Sequence, residues 1–293
     1  MFYKLPDFNY YRPKTLKEAL ILVSELNDFK ILAGGTDLII DMRIKRYVPR
    51  NIIDISSINE LKYIVDEGDR VRIGALTTLQ ELLESRIIKD KLLLLAEAIE
   101  SMASWQIRNL ATIGGNLCNA SPAADTAPPL LVYEAKVKVR SLKGEREIPI
   151  SKFFLGPRKT ALEKNEILTE IVVPYVKNVG TAFMKLGRRK AFTLSVVSVA
   201  TLVSVNGDSF AEARIALGAV APTPIRAYTV ESYLKGKKVG LDVISEGAKL
   251  VLKDISPISD VRASAEYRKD MSVVLTRDAL VKSLERLGLR IMR

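Results

Sequence analysis

The sequence predicts an α+β protein with more than one domain, and three observations support this prediction. A chain of 293 residues is longer than one hydrophobic core usually needs. Apolar residues make up 48% of the chain and the mean hydropathy is +0.11, which is typical of a packed globular protein. In the C-terminal part, strand-like stretches come before helical patterns, as in α+β domains. Changes of pattern along the chain predict three units, 1–57, 58–174 and 175–293.

The first unit, 1–57, is predicted to contain one helix and two strands. Residues 11–30 indicate an amphipathic helix, because Thr15 begins a capping box ahead of a regular apolar stripe. A short strand at 31–33 ends at a pair of glycines. A second strand at 51–55 completes this small α/β unit.

The second unit, 58–174, mixes hairpins with helices. Gly68 and Gly144 occur in turn sequences between strand-like stretches, which indicates two hairpins. Thr78 and Glu81 form a second capping box. The predicted elements are strands 63–65 and 71–73, helices 78–84 and 91–103, and strands 136–140, 146–150 and 167–173.

The third unit, 175–293, has strands first and helices afterwards. Asn206-Gly207 is a strong hairpin dipeptide between two of its strands. The predicted elements are strands 181–186, 195–205 and 213–218, and helices 230–234, 242–252 and 271–287.

Residue counts exclude several kinds of site. Cys118 is the only cysteine and the chain has no histidine. A zinc site or a cysteine-ligated iron–sulfur cluster needs several such ligands, so this chain does not hold one by itself. Ser-His-Asp and Cys-His nucleophile systems are excluded for the same reason. We expect Cys118 to be a small buried residue.

The net charge of +11 does not by itself indicate nucleic-acid binding, because basic and acidic residues are interleaved and only 6% of residues are aromatic. An acidic partner subunit or bound phosphate explains the charge equally well. No apolar run approaches the roughly 20 residues of a membrane-spanning helix. Residues 1–7 lack the pattern of a signal peptide, so we expect a cytoplasmic protein.

Two glycine pairs stand out as candidate ligand-binding elements. The first glycine motif, 31–37, reads Ile-Leu-Ala-Gly-Gly-Thr-Asp, and the second, 111–126, begins Ala-Thr-Ile-Gly-Gly-Asn. Glycine pairs allow positive φ and close approach, and successive N–H groups in such turns can bind anionic oxygen. Each pair is also consistent with an ordinary tight turn. Neither pair fits the Rossmann or P-loop pattern. The working hypothesis is that both motifs bind the diphosphate of one dinucleotide.

These motifs, with two further stretches, resemble the FAD-binding medium subunit of molybdenum hydroxylases. That family includes the flavoprotein subunits of carbon monoxide dehydrogenase, aldehyde-type oxidoreductases and bacterial xanthine dehydrogenases. The resemblance covers nearly the whole chain, and it is carried by residues 32–37, 106–116, 121–125 and 260–268. It implies a vanillyl-alcohol-oxidase-type FAD-binding domain of two subdomains, 1–57 and 58–174, followed by a smaller C-terminal α+β domain, 175–293.

The resemblance also implies which residues contact FAD. Main-chain donors around the diphosphate would come from 32–36 and 112–116. Asp125 would accept a hydrogen bond from a ribitol or ribose hydroxyl, or it is only a helix cap. The full set of expected cofactor-binding residues is Leu32, Ala33, Gly34, Gly35, Thr36, Asp37, Ile73, Thr112, Ile113, Gly114, Gly115, Asn116, Asp125, Leu168 and Lys185.

Besides Asp125, three of these assignments have plain alternatives. Ile73 would lie near the adenine and Leu168 near the isoalloxazine, or both are core residues. Lys185 would approach the isoalloxazine and raise its reduction potential, or it is a solvated charge. Trp105 precedes the second glycine motif and packs on the flavin site, on a partner, or within the fold. No catalytic side chain and no metal ligand is expected.

The functional expectation from the resemblance is electron transfer. In the family, substrate is oxidised at a molybdenum–pterin centre in a large subunit, and electrons pass through two [2Fe–2S] clusters in a small subunit to FAD and then to an external acceptor. We therefore expect the FAD subunit of a heterotrimeric, aldehyde-type dehydrogenase, with a dimer of heterotrimers as a further assembly. The alternatives are a free-standing flavin oxidase or reductase of the same fold and a non-enzymatic basic binding module.

Overall fold

A computed structural model describes residues 4–291, which form three main β-sheets, a two-stranded ribbon and the helices packed around them. This mixture confirms the predicted α+β class. Each main sheet is built from a different range of the chain: the first from 1–57, the second from 58–174 and the third from 175–293. Residues 1–3, which belong to the stretch compared with signal peptides, and residues 292–293 lie outside the described residues.

The first part of the chain forms a small parallel sheet in which β3 lies between β1 and β2. The Thr15 hydroxyl accepts a hydrogen bond from the Glu18 N–H and caps α1. The predicted helix over 11–30 is too long, because the ends of this range pair with β3 instead. α2 was not predicted. The elements are β1 (Asn9–Tyr11), α1 (Leu16–Glu25), β2 (Phe29–Leu32), α2 (Leu38–Arg43) and β3 (Asn51–Asp54).

The second part forms a five-stranded antiparallel sheet of order β4-β5-β10-β6-β7. Both predicted hairpins are present, at β4–β5 and β6–β7. The capping box at Thr78 and Glu81 is complete. The elements are β4 (Ile64–Asp66), β5 (Arg70–Gly74), α3 (Leu79–Glu84), α4 (Arg86–Lys91), α5 (Leu93–Glu100), α6 (Trp105–Arg108), α7 (Ile113–Asn119), α8 (Ala127–Val132), β6 (Lys136–Ser141), β7 (Gly144–Pro149), β8 (Phe154–Gly156), β9 (Lys159–Thr160) and β10 (Ile167–Pro174).

The third part forms an antiparallel sheet of order β11-β12-β13-β14, with α11 packed across β11 and β12. The β12–β13 hairpin turns at Asn206-Gly207 as predicted. α11 begins six residues before the predicted 271, because the Ser264 hydroxyl caps it by accepting from the Tyr267 N–H. The elements are β11 (Gly180–Gly187), β12 (Ser195–Asn206), β13 (Ser209–Gly218), β14 (Ile225–Arg226), α9 (Tyr228–Leu234), α10 (Leu241–Lys249) and α11 (Ala265–Arg286).

An ion pair joins the third part to the second. Arg286 of α11 donates to the Glu97 carboxylate of α5, with 3.0 Å from Nη1 to Oε2. Glu97 Oε2 also accepts from the main-chain N–H of Phe183 at 3.1 Å. These contacts fix strand β11, and with it Lys185, against the helices of the second part.

Candidate functional site

A cleft of about 350 Å³ lies where the first and second parts of the chain meet. Its size falls within the range of small-molecule sites. Both glycine motifs line it, although they are far apart in the sequence. The predicted site residues that line the cleft are Ala33, Gly34, Gly35, Thr36, Asp37, Thr112, Gly114, Gly115, Asn116 and Leu168.

The two motifs touch each other through their backbones. A Cβ on Gly34 would lie 1.9 Å from the carbonyl oxygen of Leu110, a distance that no side chain tolerates. A Cβ on Gly114 would lie 2.7 Å from the carbonyl oxygen of Ala75. Glycine is therefore required at both positions, because the backbone packs there too closely to admit a side chain.

The first glycine motif presents a series of free main-chain donors. Gly35 has a φ of +72°, which bends the chain between β2 and α2. Within the described part of the chain, the N–H groups of residues 34–38 donate to no protein acceptor. The next N–H group along the chain, that of Ile39, donates to the carbonyl of Gly35 at 3.2 Å. Consecutive free N–H groups in such a bend form a concave anion-binding site.

The second glycine motif differs from the first in how its N–H groups are used. Residues 113–116 form the first turn of α7, and their N–H groups donate within the protein. The acceptors are the carbonyl of Thr77 for Ile113, the carbonyl of Ala75 for Gly114, and the hydroxyl and carbonyl of Thr112 for Gly115 and Asn116 respectively. The N–H groups of residues 113–116 are therefore engaged within the protein, and their expected contact with the diphosphate stays a prediction. They are engaged because Thr112 caps the helix and residues 75–77 pack against its first turn.

Arg158 is a cleft residue that sequence reasoning missed. It lies in the turn between β8 and β9 and lines the same cleft as the first motif. Its Nη1 donates to Asp41 Oδ2 at 2.6 Å and to Asn119 Oδ1 at 3.1 Å. Asp41 is buried and also pairs with Arg46. A charged partner 117 positions away along the chain leaves no local sequence signal.

Asp37 brings a carboxyl group to the same region. Burial raises its pKa above the ordinary value, while the nearby Arg158 guanidinium works in the opposite direction. An added phosphate anion would raise the pKa of Asp37 further, because like charges disfavour ionisation.

Asp125 and Lys185 form a buried ion pair that does not line the cleft. Lys185 Nζ donates to Asp125 Oδ2 at 2.8 Å and to the carbonyl of Ser101 at 3.0 Å. Ser195 Oγ donates to Asp125 Oδ1 at 2.5 Å. Thr126, not Asp125, is the N-cap of α8, so Asp125 is not the helix cap. The Lys185 side chain is only 8% exposed, so Lys185 is not a solvated charge.

The remaining predicted site residues are apolar and differ in position. Ile73 is fully buried in the core of the second part, and Ile113 is fully buried as well. Neither lines the cleft. Leu32 lies directly beneath the cleft, because its Cδ1 would be 3.1 Å from a Cβ on Gly35. Leu168 is largely buried but contributes to the lining.

The site has no feature of metal or thiol chemistry. Among residues 4–291, no group of three or more His, Cys, Asp and Glu residues is arranged to hold a metal ion. Cys118 is half-buried where we expected it to be buried, and it lines the cleft, where burial raises the pKa of its thiol to about 12 and so disfavours the reactive thiolate. No helix in the described range has the length and apolar character to cross a membrane.

Comparison with protein families gives two matches. Residues 6–176 match the FAD binding domain in molybdopterin dehydrogenase. Residues 182–283 match the CO dehydrogenase flavoprotein C-terminal domain. Together they cover most of the chain, and the first includes both glycine motifs.

Similar proteins and a similar solved structure agree with this. The xanthine dehydrogenase FAD-binding subunit of Escherichia coli O157:H7 is 36% identical over 286 residues, 96% of this chain and 98% of that protein. The glyceraldehyde dehydrogenase medium chain of Sulfolobus acidocaldarius is 35% identical over 274 residues, 94% and 97% of the two chains. A chain of carbon monoxide dehydrogenase from Hydrogenophaga pseudoflava has a TM-score of 0.94 and 35% identity, covering 97% of this chain and 99% of that one.

Proposed function

The chain belongs to the family of FAD-binding subunits of molybdenum hydroxylases, and on that premise we propose that its cleft binds FAD for electron transfer within a multi-subunit dehydrogenase. The observation that carries the proposal is the run of five free N–H groups at 34–38, which line a cleft closed by the second glycine motif. Such donors suit a group that only accepts hydrogen bonds, and the FAD diphosphate is such a group.

The residues of the cleft fit FAD in three respects. Gly34 and Gly35 have no side chain, so the backbone can approach the diphosphate closely. Arg158 places a guanidinium in the same cleft, with donors that suit phosphate oxygens. Apolar residues such as Leu168 and Ile31 also line the cleft and suit an aromatic ring system.

Bound FAD supplies electron transfer in one- and two-electron steps. The protein's part is to hold and orient the cofactor. The motif at 34–38 fixes the diphosphate, and the contact between Gly34 and Leu110 keeps the two sides of the cleft in register. The proposed contacts of Asp125 with a ribose or ribitol hydroxyl, of Ile73 with the adenine and of Lys185 with the isoalloxazine require FAD to extend beyond the cleft lining described above.

The proposed partners are a large molybdenum–pterin subunit and a small subunit with two [2Fe–2S] clusters. We propose a heterotrimer, a dimer of such heterotrimers as the full assembly, an external electron acceptor and a cytoplasmic location. A free-standing flavin oxidase is the alternative, and it would need a positioned acid or base beside the flavin.

For the substrate of the complex we propose an aldehyde. The similarity to a glyceraldehyde dehydrogenase medium chain supports this choice. Subunits of xanthine and carbon monoxide dehydrogenases are as similar, so purines and carbon monoxide belong in the same substrate panel. The panel is assayed on the complex purified with its partner subunits, together with metal analysis. Turnover of a purine or carbon monoxide but no aldehyde would replace the aldehyde proposal.

The binding proposal is tested with the purified full chain and three ligands. We expect FAD to bind and to co-elute with the protein in gel filtration. Riboflavin, which lacks phosphate, and FMN, which has one phosphate, are expected to bind at least about tenfold more weakly, because they lack contacts to the N–H groups. Equal affinity for riboflavin and FAD would contradict the diphosphate site.

The electron-transfer proposal is tested with the FAD-loaded chain alone. We expect no oxidation of aldehydes, alcohols or amines without the partner subunits. Rapid turnover by the isolated chain would instead support the free-standing oxidase.

A further inference from the structure

The side chain of Asn116 is held in one orientation by a buried hydroxyl. Thr126 is fully buried, and its Oγ1 donates to Asn116 Oδ1 at 2.6 Å. An asparagine amide has an acceptor oxygen and a donor NH₂ group. With the oxygen bound to Thr126, the NH₂ group is the part left for other partners. Within the described residues, this NH₂ group donates to no protein acceptor, and Asn116 lines the cleft.

This orientation matters because the main chain beside Asn116 is already used. The N–H groups of residues 113–116 all donate within the protein. The second glycine motif therefore has no free main-chain donor over residues 113–116, and the Asn116 NH₂ group is a donor that this turn leaves available, beside the N–H of Thr112. Residues 34–38, which comprise the end of the first glycine motif and Leu38, line the same cleft with five free N–H groups.

We propose that Thr126 is a positioning residue for FAD, which orients Asn116 so that its NH₂ group donates to the diphosphate. The proposal rests on the proposed FAD site. It adds a residue that is not in contact with the cleft and was not predicted from the sequence. The ligand class it implies is one whose oxygens only accept hydrogen bonds, such as a nucleotide diphosphate.

The local structure of Thr126 supports this role. Thr126 is the N-cap residue of α8, a position where threonine usually accepts a hydrogen bond from the helix N-terminus. Its side chain makes no such bond. No N–H is available for such a bond, because Pro128 and Pro129 occupy the positions that a capping side chain would accept from, so the hydrogen bond that the structure gives the Thr126 hydroxyl is its donation to Asn116.

The backbone around Thr126 is also held firmly. The preceding residue, Asp125, is bound through its carboxylate to Lys185 and Ser195 of the third part. The following helix, α8, is buried along its length and packs on β12 and β13. Thr126 is thus a fixed point from which the orientation of Asn116 can be set.

The test measures the dissociation constant of FAD for the full chain and four variants. Thr126→Val removes the hydroxyl and keeps the shape, whereas Thr126→Ser keeps the hydroxyl. Asn116→Ala and the double variant Asn116→Ala/Thr126→Val complete a cycle. Thr126→Ala replaces Thr126→Val if the valine variant does not fold, which thermal unfolding reports.

We expect Thr126→Val to weaken FAD binding about tenfold, because a hydrogen bond to a charged group is lost when Asn116 is free to turn. Thr126→Ser is expected to stay within about threefold of the wild type. In the Asn116→Ala background, Thr126→Val is expected to change the dissociation constant by less than about twofold, since its effect acts through Asn116.

Two results would overturn the inference while leaving the FAD site intact. One is a Thr126→Val dissociation constant equal to that of the wild type. The other is the same loss with or without the Asn116 side chain, because the effect of Thr126 would then be general and structural. A wild-type chain that does not bind FAD at all would instead overturn the proposed function, and this inference with it.

Discussion

Gly34 packs directly on the main-chain carbonyl of Leu110, so closely that a Cβ on Gly34 would lie 1.9 Å from that oxygen. The first glycine motif therefore uses its glycines for two separate purposes. Gly34 provides the close approach to the second motif, and Gly35, with a φ of +72°, provides the bend in a segment whose N–H groups have no protein acceptor and whose residues line the cleft.

Gly34→Ala is expected to separate the two motifs. Because the added methyl group meets backbone atoms and not a flexible side chain, we expect a loss of at least about 2 kcal/mol in the free energy of unfolding. We also expect FAD affinity to fall by more than about tenfold. Chemical denaturation and ligand titration measure the two effects.

Gly156→Ala is the matched control, since nothing lies within 4 Å of its Cβ position and its φ is not in the left-handed region. We expect it to change the free energy of unfolding by no more than about 1 kcal/mol. A Gly34→Ala variant as stable as this control, with normal FAD binding, would show that the contact with Leu110 is not needed.

Arg158 is expected to contribute charge to FAD binding. Arg158→Gln should weaken binding about tenfold, because a partly exposed hydrogen-bond donor to phosphate is lost, and should reduce the dependence of the affinity on salt. Arg46→Gln is the control, because Arg46 pairs with the same Asp41 but does not line the cleft. Equal effects of the two substitutions would assign the loss to Asp41, not to the cleft charge.

The Asp125–Lys185 pair is expected to stabilise the junction between the second and third parts. Both side chains are almost fully buried, so removing one charge leaves the other without its partner. We expect Asp125→Asn and Lys185→Met each to reduce the free energy of unfolding by about 3–5 kcal/mol. The double variant should lose less than the sum of the two, as equilibrium unfolding in denaturant will show. Strict additivity would mean that the two groups do not interact.

The carboxyl group of Glu170 is expected to make the free energy of unfolding depend on pH. Burial acts to raise the pKa of this carboxyl, but hydrogen bonds from Arg72, Tyr63 and Lys138 outweigh burial and hold the pKa below its ordinary value. Its folded pKa lies below its unfolded pKa, so its stabilising contribution is complete above the unfolded pKa and is lost as the pH falls through the folded one.

Glu170→Gln should therefore reduce the free energy of unfolding by about 1–3 kcal/mol at pH 7, a modest figure because the partner Arg72 is partly exposed. This reduction should become smaller as the pH falls from about 5 towards 3. Glu147→Gln is the control, since Glu147 forms a solvent-exposed pair with Lys136, and less than about 0.5 kcal/mol is expected for it. A cost for Glu170→Gln that does not change with pH would argue against a charged Glu170.

Features that depend on local sequence could be predicted. The turn at Asn206-Gly207 and the capping box at Thr78 are each specified by adjacent residues, and both are present. Short helices were missed, because α2 and α6 have too few residues to show a clear apolar period.

The site was predictable only in part, for a similar reason. The glycine pairs mark places where a backbone approaches another group, but they do not tell which group that is. Gly34 and Gly114 approach other parts of the protein, whereas the N–H groups from residue 34 to 38 stay free for a ligand. The pairing of Arg158 with Asp41 depends on tertiary structure alone, and so does the placement of Asp125 against Lys185.

The most direct test of the central claim is the crystal structure of the chain with bound FAD. The measurement is the distance from the diphosphate oxygens to the amide nitrogens of residues 34–38. We predict several such distances of about 2.7–3.2 Å, with the diphosphate in the cleft between the two glycine motifs. A diphosphate bound elsewhere, with these N–H groups bound only to water, would contradict it.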